Sequence, residues 1–142
     1  MGGLVGKSRG PRDGHSPMSG CAASDWRTHD QTIEVPEEAY VEDGDGSKSL
    51  CWHLVDCGGF RIAGINAEPV VRYRRLLQHT LGGTPLLTAG CLDQTHCYLP
   101  VDEMLGQRGY EVDGFRRIFG FPGRFRAHLE IPILQALSEA IA

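Results

Sequence analysis

Apolar and polar residues alternate along "LCWHLVDC" (residues 50–57). Trp52 and Leu54 point one way, and Cys51, His53 and Val55 the other. Period two is the mark of a half-buried strand. A second strand-like run, "FRIAGIN" (60–66), follows after Gly58 and Gly59. A Gly-Gly pair between two such runs predicts a hairpin, because both residues tolerate positive φ. "TIEVP" (32–36) reads as another short strand, and "VEDGDGSKS" (41–49) as an acidic turn or hairpin loop. Over "EPVVRYRRLLQHTLGG" (68–83) the period changes. Val70, Tyr73, Leu77 and Leu81 fall on one helical face, with arginines on the other side. Pro69 suits the first helical position, and Gly82–Gly83 suit a left-handed cap at the end. "PLLTAGC" (85–91) reads as a buried strand. Strand, helix and strand in this order predict a βαβ unit whose strands are parallel.

Beyond Cys91 the chain turns polar. "PVDEMLGQ" (100–107) predicts one or two helical turns, and "RGYEVDG" (108–114) a loop or short strand. The tail, 125–142, is amphipathic, with Leu129, Ile133, Leu137 and Ile141 in one stripe and a kink or restart at Pro132. The fold class expected is α/β, with a small mixed sheet, a βαβ unit and flanking helices. Residues 1–31 lack periodicity and are rich in Gly, Ser, Pro and charge, which predicts a disordered or loosely attached arm. The arm holds His15, Cys21 and His29, a set that hints at metal; a plain polar arm is the simpler reading. Residues 32–142 form the ordered part.

With 142 residues, 41% apolar and 23% charged, the chain has the make-up of an ordinary globular domain. A net charge of −4 argues against nucleic acid as a partner, since phosphate binding needs a basic stripe. The cluster "RYRR" (72–75) is too small to change that. No apolar run approaches a transmembrane length, and the first residues lack the apolar core of a secretory signal. The five cysteines are scattered and spaced too widely for a zinc finger. Read as reduced thiols, they suggest a cytoplasmic location. The D-x-D in the acidic loop hints at calcium but lacks the EF-hand spacing and closing Glu.

In an open α/β sheet, ligands gather at the carboxyl ends of the strands. Two stretches meet that description: "INAEP", leading from a strand into the helix, and "GCLDQTHCY", opening after the next strand. If the strands are parallel neighbours, Glu68 converges with Asp93, His96 and Tyr98. Each has a plain alternative. A carboxylate at a helix start is stabilised by the helix dipole, by roughly 0.3–1 kcal/mol, without any ligand. Tyr98 beside Pro100 suits a packing role as well as a ligand's. His96 suits a ligand, a base or a surface histidine, and His53 a half-covered strand position.

The stretches "GINAEPVVRYRRLL" and "PLLTAGCLDQTHCYLPVDEMLGQRGYEVDG" resemble the C-terminal part of the catalytic domain of neutral (alkaline, non-lysosomal) ceramidases. That family shows a strand ending in a G-x-P-G/A-E-like turn, then a helix. An apolar strand, an Asn/Gly-rich loop, a Y-[IVL]-P/T-T stretch and a "GGYE" element follow. Order and spacing carry the likeness, over about the last 110 residues. "INAEP" departs from the usual Pro/Gly before the Glu, "CLDQTHC" from the small loop, and "FPGRFRAHLE" has no counterpart.

The resemblance implies one zinc held by two His, one Glu and one Tyr. Glu68 falls on the Glu ligand and Tyr98 on the Tyr ligand. His15, His29 and His53 lack the family's surrounding motifs, so the two-His half is expected from an upstream portion or a complementing chain. Residues 32–142 then form part of a larger catalytic domain. The implied chemistry is hydrolysis of the ceramide amide to sphingosine and fatty acid, or of another amide to its amine and acid. Zinc with an open position lowers the pKa of bound water to roughly 7 and polarises the carbonyl. Tyr98 would bind, release or donate a hydrogen bond as the intermediate forms, and His96 is the nearest further ligand or base. Two oxygen ligands alone would hold zinc weakly. Family members may be secreted. The other expectation is a non-catalytic α/β module descended from that fold. It would present Tyr73, Leu77 and the C-terminal apolar stripe to a partner, and an oligomer would cover the exposed former interface.

Overall fold

A computed structural model describes residues 29–142. The expected arm, with His15 and Cys21, lies outside them except at its end, where the first strand already begins at His29. In chain order the elements are β1 (His29–Val35), α1 (Glu37–Tyr40), β2 (Val41–Glu42), β3 (Leu50–Asp56), β4 (Arg61–Ile65), β5 (Glu68–Pro69), α2 (Arg72–Thr80), β6 (Leu86–Ala89), β7 (Tyr98–Leu99), α3 (Asp102–Leu105), a π-helical turn (Tyr110–Gly114), α4 (Arg116–Phe119), β8 (Arg124–Phe125) and α5 (Glu130–Ala140).

The main sheet has four strands in the order β1-β3-β4-β6. β3 runs antiparallel to both β1 and β4, and β6 runs parallel to β4. The Gly58–Gly59 hairpin and the βαβ unit are therefore both present, and the class is α/β with a small mixed sheet. Alternation in β3 also holds: Leu50, Trp52 and Leu54 are buried, whereas Cys51, His53 and Val55 are half-buried. The buried face meets α2 and α5. Tyr73 and Leu77 of α2, Leu81 just beyond it, and Leu129, Ile133 and Leu137 are at most 1% exposed. They bury the stripe that an amphipathic helix must cover.

Several expectations need correction. The helix read from Glu68 starts only at Arg72, because Glu68 and Pro69 form β5 and pair in parallel with Tyr98 and Leu99. Alternate residues donate in such a ladder. The N–H groups of Glu68 and Val70 reach the carbonyls of Cys97 (2.9 Å) and Leu99 (3.1 Å). Pro69, which has no N–H, sits between them where no donor is needed. β6 is an edge strand, not a buried one: Leu86 is covered, but Leu87 is 60% exposed. "RGYEVDG" is neither loop nor strand but a π-helical turn, closed by the Phe115 N–H on the Tyr110 carbonyl at 3.0 Å. Finally, Tyr73, Leu77, Leu129, Ile133 and Leu137 belong to the chain's own core and cannot serve as a partner surface.

The tail restarts, as Pro132 suggested. Phe125 lies in β8, and Pro132 stands in the first turn of α5, where its missing N–H costs nothing. α3 and α5 cap each other. The Asp102 carboxylate accepts the Leu129 N–H at 3.0 Å, and the Glu130 carboxylate accepts the Asp102 N–H at 2.9 Å. The acidic loop after β2 is not a hairpin, since β2 pairs with β8. It folds instead around the buried Glu37 carboxylate, which accepts the N–H groups of Asp45 (3.1 Å) and Lys48 (2.7 Å).

Candidate functional site

β4 and β6 are parallel neighbours, so their carboxyl ends open on the same side of the sheet. The chain leaving β6 doubles back against the chain leaving β4. The N–H groups of Leu92, Cys91 and His96 donate to the carbonyls of Ile65 (2.9 Å), Ala67 (2.8 Å) and Asn66 (3.1 Å). With the β5–β7 pairing, nearly every residue from Ile65 to Val70 is tied to the loop after β6. That loop reverses through left-handed conformations at Cys91 (φ 58°) and Asp93 (φ 52°). Gly90 permits the approach: a Cβ there would stand 2.7 Å from Pro69 Cδ and 3.0 Å from the Ala67 carbonyl oxygen.

Asn66 is the buried polar residue at the centre, 5% exposed. Its Oδ1 accepts the Cys51 N–H at 2.8 Å, and its Nδ2 donates to the Ser49 carbonyl at 3.2 Å. Its own N–H reaches the Cys51 carbonyl at 3.3 Å. One side chain thus locks the start of β3 to the end of β4. "INAEP" contained Asn66, but its chemistry drew attention to Glu68. The signal for Asn66 was an amide closing an apolar strand, where a buried amide must find partners.

Glu68 and Tyr98 stand opposite each other in the β5–β7 register. The Glu68 carboxylate beside the Tyr98 hydroxyl holds the phenol's pKa above its usual value of 10.0. Burial, then the charges of Glu68, Tyr110 and Cys91, push the same way. The Tyr98 ring is wedged among other rings, with Tyr110 at 5.4 Å, Phe115 at 5.7 Å and Phe119 at 6.2 Å between centroids. Phe115, fully buried, extends the cluster to Phe121 at 5.4 Å and Phe125 at 6.0 Å. Tyr98 is therefore a packing tyrosine and a polar neighbour of Glu68 at once. The turn carrying Tyr110 was not singled out in the sequence as part of this site.

The other candidates are placed elsewhere. Asp93 Oδ2 lies 3.4 Å from His53 Nε2, over the half-buried face of β3. His96 is half-buried, and its electrostatic neighbour is Lys48, whereas Tyr98 interacts with Glu68, Tyr110 and Cys91. Burial first, then Lys48, lowers the His96 pKa below 6.5. Among the described residues, no group of three or more His, Cys, Asp and Glu side chains converges as a metal-binding set. The chain's contribution at Glu68–Tyr98 is thus two oxygen donors side by side. Comparison with known proteins returns no matching family model, curated protein or solved structure.

Two outcomes follow from this geometry. Asn66→Ala strands the Cys51 N–H and the Ser49 carbonyl, and should cost about 1–3 kcal/mol in a urea melt. An unchanged midpoint would show that the lock is not needed. For His96, the folded state favours the neutral ring. This contribution to stability is complete above pH 6.5 and is lost as the pH falls through the lower folded-state midpoint. An NMR titration of the ring should give a midpoint below 6.5, and a midpoint above it would mean that a carboxylate faces His96 instead.

Proposed function

We propose that this chain carries the Glu/Tyr side of a zinc-dependent amidohydrolase site of the neutral ceramidase kind, with two histidines supplied from outside residues 29–142. The observation that supports it is the Glu68–Tyr98 pair: side by side in the β5–β7 register, beyond the carboxyl ends of the parallel strands β4 and β6. Two oxygen donors fit a zinc sphere as partners of two imidazoles, but do not make a site on their own. The chemistry such a zinc supplies is activation of water and polarisation of the amide carbonyl.

The chain's own residues have narrower tasks. Glu68 offers a carboxylate on a backbone segment held by hydrogen bonds on both sides. Tyr98 keeps its proton at neutral pH, as any phenol with a pKa near or above 10.0 does, and its raised pKa widens that margin. It therefore acts as a hydrogen-bond donor, to Glu68 at rest and to the oxygen that gains charge during amide attack. Tyr98 is the candidate acid–base group at the pair; His96, expected beside it, has Lys48 as its electrostatic neighbour instead. Substrates in this reading are ceramide-like or other linear amides. The free thiols of Cys51, Cys57, Cys91 and Cys97 support a cytoplasmic setting, and no helix among the described residues is long and apolar enough to cross a membrane.

Elemental analysis and a short-chain ceramide assay test the reading. The chain alone should hold zinc poorly. Completed by a two-His partner, it should bind one zinc, and Glu68→Ala should abolish both zinc retention and hydrolysis. Tyr98→Phe should keep the fold and lower turnover by roughly 10²–10³, the size expected for one lost oxyanion donor. Full turnover in both variants would sink the proposal.

A second reading, a non-catalytic assembly module, has its own observation. Val55, Ile62 and Leu87 line up in one row across the half-covered sheet face, and Leu87 is 60% exposed. Such a row suits burial against a second chain. Sedimentation velocity should then show an oligomer that Leu87→Glu dissociates; a monomeric wild type would count against it.

A further inference from the structure

The π-helical turn has two sides. Tyr110 faces the Tyr98 ring, while Val112 and Asp113 line a separate cavity of about 500 Å³. That size falls within the range of about 300–1,000 Å³ typical of small-molecule sites. Arg108, Arg116 and Arg124 converge on this cavity from three consecutive stretches, with Leu105 and Val112 supplying an apolar wall.

The three guanidiniums are unequally satisfied. Arg116 donates to the Gly123 carbonyl and stands 3.9 Å from Asp113 Oδ1, yet its Nε is buried without a hydrogen-bond partner. An unmet buried donor is costly and asks for an acceptor. Arg108 and Arg124 make no side-chain hydrogen bond or ion pair among the described residues. Glu42, opposite Arg124 in the β2–β8 register, lies instead 4.0 Å from Arg126. Arg108 also holds a left-handed backbone (φ 49°), which costs a branched-free but bulky side chain some strain.

Three cations and one carboxylate leave the cavity two positive charges in excess. Guanidinium forks match the oxygens of a tetrahedral dianion, and a phosphomonoester carries nearly two negative charges at neutral pH. The cavity exceeds a bare phosphate, so the ester's organic part has room against Leu105 and Val112. We propose that this cavity binds a phosphomonoester, with Arg108, Arg116 and Arg124 on its phosphate oxygens. The site stands apart from Glu68 and Tyr98 and does not depend on any zinc chemistry there.

Calorimetric titration of the full chain at constant ionic strength tests this. Inorganic phosphate should bind, phenyl phosphate should bind more tightly, and acetate should bind far more weakly. Arg108→Gln with Arg124→Gln should weaken phosphate by about tenfold or more, the worth of a hydrogen bond to a charged group. A thermal melt confirms that the double variant is folded, and phosphate-induced NMR shifts in the wild type should cluster at residues 105–125. Co-sedimentation with phosphatidic acid vesicles, lost in the double variant, would assign the phosphate to a lipid, whereas phenyl phosphate binding without vesicle binding would assign it to a soluble ester. No binding of phosphate by the wild type, equal affinity in the double variant, acetate binding as tightly as phosphate, or NMR shifts elsewhere on the chain would each overturn the assignment.

Discussion

The segment from Ile65 to Val70 is clamped along its length by the loop that follows β6. Everything distinctive about the site depends on that clamp. It is a run of backbone hydrogen bonds, so it does not need any one side chain for its register. What it does need is room. Gly90 provides room beside Pro69 and Ala67, and Gly64 lies under Leu92. Asn66 then anchors the clamped segment to the sheet through β3. The site is therefore an extension of the sheet's hydrogen bonding rather than a loop laid on top of it. Such anchoring gives functional groups a precision that free loops lack.

Tyr98 shows how packing and polarity combine at one residue. The aromatic cluster limits its ring, and β7 fixes its backbone opposite Glu68. Only the hydroxyl is left with chemical work. The Glu68 carboxylate raises the phenol's pKa, so the pair is stable as carboxylate and phenol. Of the two plain readings of these residues, the packing role of Tyr98 holds and the helix-dipole account of Glu68 does not. Glu68 is not at the start of α2, so the helix dipole does not account for it. Tyr98 does pack, but its hydroxyl is also engaged.

Period and turn chemistry made the hairpin, the βαβ order and the buried faces of α2 and α5 legible. These depend on burial, which leaves a regular trace in the sequence. The same signals misplaced the start of α2. Pro69 suits a helix start and the silent position of a parallel ladder equally well, and only the distant carbonyls of Cys97 and Leu99 decide between them. The π-helical turn left no trace either, because Tyr110 and Phe115 earn their positions by contact with Tyr98. β6 looked buried because it is apolar, yet among the described residues no strand pairs with its second edge. Within the site, the meeting of Glu68 and Tyr98 was legible from the parallel strands that carry them. The departure of Asp93 toward His53 was not, since it follows from a left-handed reversal at Asp93 itself.

The self-satisfied Glu68–Tyr98 pair sets a condition on whatever binds there. A cation approaching Glu68 competes with the phenolic hydrogen, and must either displace it or share the carboxylate's remaining lone pairs. Sharing is the cheaper course, because the aromatic cluster resists movement of the ring. A ligand that shares Glu68 leaves Tyr98 a proton donor, aimed at the space next to the bound group. Displacement would instead take the carboxylate away from the phenol hydroxyl. Only a strong local positive charge reverses that preference. The arrangement thus favours Tyr98 as a proton donor beside the Glu68 carboxylate.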